Sequence, residues 1–413
     1  MNNSDHQNIT VLLPAASIAV FSKDKDTLDV VSTLASDWRF ARVKFQLIDG
    51  DVDTATESYH NNASPDLIVV QTNSTDESFT GKLETLAGHL SEGTAAIVIG
   101  PENDVYLYRR LIEMGVSDYL VKPVKANILG DVIGKSLLEK TGAGGSQLIA
   151  LVGAKGGVGA SAIAQALAWG AADILGEKTL LLDAAGGWST LGVGMGFEPS
   201  TTLVEAARAA ANSDEDSLKR MMFKASDKLS VLASGSDVLL DGNIQSAQFE
   251  QILSMVMVKY PLVIVDLSAA APQMKDIVIT RANQVILVST PSLPSLRLAR
   301  SLMQEIKDLR GGHAEGIDLI LNMQGIAPGV EVSKSDIEKA MELSPAAVLP
   351  FNAKLFAKSE SEGKKIIDDK EGRALVESVL LRILKKTLHG MPAEQVVAKS
   401  SGMLGGLLKK GKK

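Results

Sequence analysis

The chain has 413 residues, of which 45% are hydrophobic and 22% are charged, and its formal net charge is −7. A chain of this length accommodates two or three domains with separate cores, and its acidic balance argues against nucleic acid as an electrostatic partner. The sequence contains no cysteine, which excludes a disulfide framework, a cysteine-based zinc site and a thiol nucleophile.

The amino-terminal residues 1–10 are polar and lack the basic and then apolar pattern of a signal peptide. The apolar runs of the chain fall short of the roughly 20 residues that span a bilayer. We therefore expect a cytoplasmic protein whose contact with the inner membrane, if it has any, is peripheral.

Short apolar runs alternate with amphipathic segments through the first part of the chain. The segment 105–114, between two such runs, has the periodicity of a helix. Because buried strands that alternate with helices form parallel sheets covered on both faces, this pattern predicts an α/β fold. The predicted strands are 17–21, 66–70, 95–99 and 118–121.

Residues 139–147 include Thr-Gly-Ala-Gly-Gly-Ser, a small and flexible stretch that is typical of a linker. Beyond it the alternation resumes, with β-branched runs that are bounded by Gly, Pro or Asp and therefore favour strands over helices. The predicted strands in this part are 147–152, 179–182, 229–233, 262–267, 284–289 and 318–321.

The two blocks predict an α/β chain with two doubly wound parallel-sheet domains. We expect these domains at 17–138 and 148–390, with the linker 139–147 between them. The remaining segments are an amino-terminal tail at 1–16 and a carboxyl-terminal tail at 391–413.

The stretch Asp118-Tyr119-Leu120-Val121-Lys122-Pro123 resembles the fifth strand and the Lys-Pro pair of response-regulator receiver domains. The resemblance covers residues 17–138 and implies a flavodoxin-like receiver fold, in which the lysine contacts a phosphorylated aspartate after the third strand. Here Gln71 stands at that place, and an amide cannot form the acyl phosphate that a carboxylate forms.

The acidic residues expected after the first strand are also reduced, since Ser22-Lys23-Asp24 offers one carboxylate beside a lysine. A Mg²⁺ site needs converging oxygen charge, and this loop has lost part of it. We therefore expect a pseudo-receiver that serves as a docking scaffold, with Lys122 a surface or loop lysine that has no phosphate to bind. Phosphorylation-dependent switching is the alternative, and it would require labelling of residues 17–138 by acetyl phosphate.

A predicted strand that ends near Gly153 leads into a glycine-rich loop and then into an alanine-rich helix. Glycines let backbone N–H groups approach a phosphate, and the amino terminus of a helix adds a favourable field. The loop Lys155-Gly156-Gly157-Val158-Gly159-Ala160-Ser161 resembles the deviant Walker A loop of the ParA/MinD family. The resemblance implies bound ATP or ADP with Mg²⁺, and a Lys155 that reaches across a homodimer to the second nucleotide.

Two departures from that family's pattern predict weak or absent hydrolysis, so no residue is assigned as catalytic. Ala160 replaces the lysine that contacts the β- and γ-phosphates. Losing one charge-assisted hydrogen bond costs about 1.5–3 kcal/mol, which is roughly ten- to hundredfold in affinity. Ala185 replaces the second aspartate of an Asp-x-Asp pattern, which positions the attacking water in the family. We expect nucleotide binding to persist in weakened form, while phosphoryl transfer loses groups that offset developing charge.

The same resemblance assigns Mg²⁺ to Ser161 in the loop and to Asp183 and Asp266 at two strand ends. Simpler interpretations stay open for the charged residues. The two aspartates could cap the helices that follow them, and Lys155 could be a solvated loop lysine.

Later strand ends resemble the part of the family's site that holds the base. Asn322 corresponds to the residue that reads adenine, although it could also be an ordinary turn residue, and Pro350 and Phe351 correspond to the loop that flanks the base. The predicted nucleotide-binding residues are Lys155, Gly156, Gly157, Val158, Gly159, Ala160, Ser161, Ala162, Asn322, Pro350 and Phe351.

A receiver-like domain ahead of a ParA/MinD-like domain resembles the CpaE/TadZ family of Tad (Flp) pilus assembly proteins. The segments 153–161, 289–297 and 349–354 carry this resemblance, which covers residues 17–390. It implies a homodimeric localisation or assembly factor that recruits type IVb pilus secretion proteins, and replacement of the second loop lysine by Ala160 fits that branch. The alternative function is an active ParA/MinD-like ATPase that positions cargo through a hydrolysis cycle.

The segment 400–413 has four large apolar residues at helical spacing and ends in lysines. It resembles the basic amphipathic membrane-binding helix at the end of MinD proteins, and dimerisation would raise its avidity for anionic lipid. Its glycines disfavour a stable helix. Peripheral membrane contact and a disordered solubilising tail therefore both stay open.

Overall fold

The computed structural model describes residues 9–140, 146–186, 189–235 and 246–389. The chain divides into two compact units, Met1–Ser146 with Lys307–Glu315, and Gln147–Ile306 with Gly316–Lys413. The segment 307–315, which the sequence analysis included in the second domain, thus groups with the first unit. Residues 141–145 of the predicted linker and the whole tail 391–413 lie outside the described residues.

Strands and helices alternate through the described part of the first unit. The strands form a five-stranded parallel sheet in the order β2-β1-β3-β4-β5, which confirms the predicted doubly wound arrangement. The elements are β1 Ala16–Phe21, α1 Lys25–Ala35, β2 Val43–Ile48, α2 Val52–Tyr59, β3 Leu67–Gln71, α3 Glu77–His89, β4 Ala95–Gly100, α4 Val105–Glu113, β5 Asp118–Val121 and α5 Ala126–Lys140.

Strand β2 is the element of this sheet that the sequence analysis missed. It lies at the edge of the sheet, beside β1, with Val43 and Phe45 half-buried and Lys44 and Gln46 exposed. An edge strand with one solvated face alternates apolar and polar residues and gives no continuous apolar run. The predicted strands were all found among such continuous runs.

The second unit is built around an eight-stranded sheet with the order β13-β12-β11-β6-β10-β7-β9-β8, in which β8 alone of the described strands pairs antiparallel. The six predicted strands are present, and β8 and β13 are additional. The strands are β6 Gln147–Gly153, β7 Thr179–Asp183, β8 Phe223–Lys224, β9 Leu229–Leu232, β10 Leu262–Asp266, β11 Gln284–Ser289, β12 Ile317–Gln324 and β13 Ala347–Pro350.

Helices cover both faces of this sheet, as parallel strands require. They are α6 Ala160–Trp169, α7 Leu191–Gly194, α8 Leu203–Ala211, α9 Glu215–Arg220, α10 Ser246–Lys259, α11 Pro272–Arg281, α12 Leu293–Leu309, α13 Lys334–Met341, α14 Ala353–Glu362, α15 Lys370–Leu375 and α16 Leu381–His389. Short π-helical segments follow α6 at Gly170–Ile174 and α15 at Val376–Leu380.

Helix α6 runs through the middle of the core of the second unit. Four of its alanines, at positions 160, 164, 166 and 168, are buried in one apolar cluster with strand residues of the sheet and with residues of α16. Small side chains allow this close approach, and at Gly170 a Cβ would lie 2.5 Å from Val376 Cγ1. The helix that begins at the glycine-rich loop is therefore held firmly on several sides.

Among the helices of the described residues, none is both long enough and apolar enough to cross a membrane.

Candidate functional site

The loop between β6 and α6 has the strand-to-helix geometry that the glycine-rich sequence predicts. Gly157 and Gly159 have φ values of +78° and +84°, and Gly159 is the N-cap of α6. Such left-handed conformations are strained for residues with a side chain. The loop can turn sharply into the helix because glycine occupies both positions.

The outer part of this loop faces open space. In the described part of the chain, a Cβ built at Gly156 or Gly157 would have no heavy atom within 4 Å, apart from those of the glycine itself and of its two neighbours in the sequence. The first N–H groups of α6 have no acceptor within their own helix, and together with loop amides they make an anion-binding cradle. The arrangement suits a phosphate group.

Two aspartates end neighbouring strands on the same edge of the sheet. Asp183 of β7 and Asp266 of β10 are register partners, and their exposed fractions are 1% and 3%. Burial and then the charge of Asp266 raise the pKa of Asp183 to about 7, against hydrogen bonds from Ser189 and the backbone of Ala185 that lower it. The pair therefore concentrates acidic charge in a place with little water.

Both aspartates also accept hydrogen bonds from the turns that follow them. Asp183 accepts the N–H of Ala185 at 2.8 Å and the hydroxyl of Ser189. Asp266 accepts the N–H and the hydroxyl of Ser268 at 2.9 and 2.5 Å. The helix-capping interpretation is wrong, because the N-caps of the following helices are Thr190 and Ala271. The aspartates instead hold the turns after their strands, and each carboxylate has further lone pairs for a cation.

The oxygen atoms of Ser161, Asp183 and Asp266 fit Mg²⁺ if a phosphate and water supply its other ligands. Carboxylate and hydroxyl oxygens are suitable ligands, and a cation would relieve the repulsion between Asp183 and Asp266. Within the described residues, however, no group of three or more His, Asp or Glu side chains could hold a metal. A Mg²⁺ ion at Ser161, Asp183 and Asp266 would therefore complete its shell with phosphate oxygens and water, as this ion commonly does.

Asn322 lies against the glycine-rich loop 153–159 between β6 and α6, which we call the phosphate loop. Its side chain is buried, its Nδ2 donates to the carbonyl oxygen of Val158 at 2.9 Å, and its Oδ1 accepts the N–H of Met323 at 2.9 Å. The sequence analysis assigned this asparagine to the base, and that assignment stays a prediction. A contact with the loop backbone was not predicted.

Pro350 is the last residue of β13, and Phe351 follows it at the carboxyl-terminal end of the strand. Phe351 is 45% exposed, and its backbone N–H donates to the carbonyl oxygen of Gln324 at 2.8 Å. An exposed aromatic face at this edge is available for stacking. Its contact with a base remains a prediction.

Comparisons with known proteins agree with this geometry. Residues 146–318 match an AAA domain family, AAA_31. The septum site-determining protein MinD of Thermotoga maritima is 24% identical over 52% of this chain and 79% of its own length. The crystal structure of a ParA family ATPase from Chlorobium tepidum covers 60% of this chain and 100% of that chain, with a TM-score of 0.51 and 22% identity.

The second unit has the ParA/MinD-like P-loop fold. A further solved structure, a putative CpaE2 pilus assembly protein from Sinorhizobium meliloti, is 39% identical but covers only 28% of this chain, and 96% of that chain, with a TM-score of 0.28. The ParA family structure and the AAA_31 match give the fold of the P-loop unit. The chemistry of its site depends on the individual residues.

Ala160 is a core residue of the P-loop unit. It is 4% exposed, and it belongs to the apolar cluster with Val158 and Ile163. Its methyl group offers neither charge nor a hydrogen bond to the cradle above it. The loop keeps its backbone donors here and has no cation at this position.

The other loop side chains are more accessible. Lys155 is exposed, and its Nζ lies 3.3 Å from the carbonyl oxygen of Gly156 in its own loop. Ser161 and Ala162 are half-buried in the first turn of α6. Ser161 is therefore the hydroxyl of the P-loop unit that stands beside the cradle.

Ala185 lies two residues beyond β7 and is half-buried. Its backbone N–H is used by Asp183, and its methyl group cannot accept a proton or orient water. The side chain of Ala185 thus offers no acid or base, and its correspondence to the family's second aspartate stays a prediction.

The first unit has a polar network at the end of β3, where an active receiver domain would carry its phosphorylated aspartate. Gln71, which is buried, donates to Asn73 Oδ1 at 2.9 Å, and Lys122 donates to the same oxygen at 2.9 Å. Lys122 Nζ also lies 3.6 Å from Asp24. Asn73 and Asp24 thus hold Lys122 in this network. That this loop lysine meets no phosphate stays a prediction.

Proposed function

We propose that the chain is a localisation or assembly factor of a Tad (Flp) pilus secretion machine, with a P-loop unit that binds nucleotide and hydrolyses it weakly or not at all. The observation that carries the proposal is the burial of Ala160 beneath an intact phosphate cradle. Nucleotide binding and phosphate cleavage depend on different groups. In this proposal the site has kept the backbone donors that bind phosphate and has lost side chains that promote cleavage.

The groups kept for binding are mostly backbone donors. The loop 153–159, the amino terminus of α6 and the exposed Lys155 together favour a polyphosphate. ATP or ADP is the expected ligand, with Mg²⁺ held by Ser161, Asp183 and Asp266, and with Phe351 beside the base. A second copy of the chain would place its Lys155 near this nucleotide in a homodimer.

The groups lost are those that act during phosphoryl transfer. The transition state spreads negative charge over the transferred group and requires a positioned water. Ala160 supplies no ammonium and Ala185 supplies no carboxylate. A protein of this kind would use nucleotide to fix its assembled form, and would not cycle rapidly.

The pilus role rests on the sequence resemblance to the CpaE/TadZ family, in which a receiver-like domain precedes a ParA/MinD-like domain. The receiver-like unit supports docking over signalling, because Gln71 replaces the phosphoacceptor and Asn73 accepts hydrogen bonds from both Gln71 and Lys122. The expected partners are pilus assembly and secretion proteins at the cell pole or the inner membrane.

An active ParA/MinD-like ATPase is the second candidate, and the retained acidic pair is compatible with it as well as with the first. Asp183 and Asp266 both remain, side by side and buried, where a nucleotide-bound Mg²⁺ would lie. A protein that never handled Mg²⁺ would gain from replacing one of these repelling carboxylates.

Calorimetry and phosphate release on the full chain separate the two candidates. We expect ATP with Mg²⁺ to bind, with phosphate release at background. Steady-state release well above background, lost in Asp266→Ala, would establish the ATPase instead. Absence of heat with both ATP and ADP, together with an unchanged oligomeric state in their presence, would reject nucleotide binding.

A further inference from the structure

One side chain from outside the phosphate loop reaches the loop's backbone. Asn322, whose exposed fraction is 5%, donates from Nδ2 to the carbonyl oxygen of Val158, and the residues lie 164 positions apart in the sequence. Val158 is itself 1% exposed. A buried carbonyl group needs a donor, and Asn322 provides one.

An irregularity in β12 accompanies the placement of Asn322 beside the loop. The pairing of β12 with β13 shifts register between Leu321 and Gln324, and Met323 has a φ of +60°. A bulge re-aims side chains locally, and a left-handed conformation at a residue other than glycine persists only where the surroundings enforce it. The backbone N–H of Met323 then holds Asn322 Oδ1 at 2.9 Å, which fixes the amide orientation.

The loop is shaped to receive this side chain. A Cβ built at Gly159 would lie 2.5 Å from Asn322 Nδ2. Glycine at this position therefore serves the approach of the asparagine as well as the left-handed φ of +84°.

We propose that Asn322 is a positioning residue that fixes the phosphate loop in its ligand-ready shape before any ligand arrives. Both ends of its amide already hold backbone groups of the protein, which is the arrangement of a structural tie and not of a base reader. The proposal rests on the proposed function only in taking the loop's ligand to be a nucleotide phosphate.

Limited trypsin digestion tests the tie without any nucleotide. Lys155 is exposed in the loop, so cleavage after it reports local opening of the loop, and mass spectrometry identifies the fragment. Asn322→Asp keeps the size and the acceptor but removes the donor. We expect cleavage after Lys155 to rise about tenfold in Asn322→Asp and in Asn322→Ala, as loss of one buried hydrogen bond implies.

Asn283→Ala is the matched control. Asn283 precedes β11, at the opposite edge of the same sheet, and its Oδ1 accepts the N–H of Leu148 at 2.8 Å. This variant loses an equivalent hydrogen bond far from the loop along β6, so its cleavage after Lys155 should match the wild-type protein. Equal cleavage in the wild-type protein and both Asn322 variants, or equal acceleration in Asn283→Ala, would overturn the proposal.

Binding of ATP, GTP and tripolyphosphate, each with Mg²⁺, provides a second readout. A positioning role predicts that Asn322→Ala, which adds no charge, weakens all three by the same factor. If ATP alone weakens, so that the preference for ATP over GTP falls and tripolyphosphate binding is unchanged, Asn322 reads the base and the proposal is wrong. Should the wild-type protein bind none of the three, the proposed function fails, while the digestion still decides the role of Asn322.

Discussion

Asp183 and Asp266 occupy the same register position on adjacent parallel strands, and both are almost completely buried. Two like charges in such a place repel each other, and burial penalises each of them further. Hydrogen bonds from Ser189, Ser268 and the backbone of Ala185 partly offset this cost by stabilising the charged carboxylates. We therefore expect the stability of the P-loop unit to depend on pH and on divalent cations.

The pH dependence of stability should change in Asp183→Asn. The pKa of Asp183 rises from 3.8 to about 7 on folding, so its contribution to the free energy of unfolding is fully present below pH 3.8 and is lost as the pH rises through 7. We expect the midpoint of thermal unfolding to fall less between pH 5 and pH 8 in Asp183→Asn than in the wild-type protein. Identical profiles for the two proteins would contradict the assignment, and Mg²⁺ should reduce the wild-type fall at pH 8.

Restoring the missing cation should restore affinity. Ala160→Lys places an ammonium group below the cradle, and we expect ATP to bind about ten- to hundredfold more tightly. Ala160→Met has a similar length without the charge, so it reports the cost of enlarging a buried position. The prediction fails if titration calorimetry gives Ala160→Lys no advantage over Ala160→Met.

Phosphate release should need both lost groups. Ala160→Lys alone should remain slow, because Ala185 still cannot position a water, whereas Ala160→Lys combined with Ala185→Asp should release phosphate measurably faster. The single variant Ala185→Asp is the control. Rapid release by Ala160→Lys alone would show that another group positions the water.

Two loop glycines should respond differently to alanine. Gly159→Ala requires a left-handed φ and brings a Cβ to 2.5 Å from Asn322 Nδ2, so we expect a loss of about 1–3 kcal/mol in unfolding free energy. Gly156→Ala meets no atom within 4 Å in the described part of the chain, and should stay within about 0.5 kcal/mol of the wild-type protein. Urea denaturation measures both, and equal losses would contradict the argument.

The receiver-like unit should not accept phosphate, even after its acceptor is restored. Gln71→Asp returns a carboxylate to the end of β3, but Lys23 pairs with Asp51 at 2.6 Å in the loop where Mg²⁺ ligands would be needed. We expect neither the wild-type protein nor Gln71→Asp to be labelled by acetyl phosphate with Mg²⁺. Labelling of the wild-type protein would revive the phosphorylation-dependent alternative.

Much of the fold could be predicted from the sequence because central strands are continuous apolar runs. Residues 262–266 and 284–288 are examples, and both are buried between helical layers. Short or edge strands lack that signal, as β2 and β8 do. The glycine-rich loop was also predictable, since its chemistry lies in consecutive residues.

The tertiary contacts of the site were less predictable. The bond from Asn322 to Val158 requires the order of β12, β11 and β6 in the sheet and a bulge at Met323. No local pattern encodes either feature. The network of Lys122 was missed for a related reason, because its partner Asn73 lies on a different loop.

The close packing at Gly170 constrains where the protein can be shortened. Val376 and Leu381 would lie within 3 Å of any Cβ at this glycine. The π-helical segment Val376–Leu380 and α16 therefore pack against α6 and cover its buried side. Removing residues beyond His389 leaves these contacts in place, whereas a stop codon ahead of Val376 would expose the buried alanines of α6 to solvent. Deletions meant to probe the tail alone should therefore spare the whole of α16.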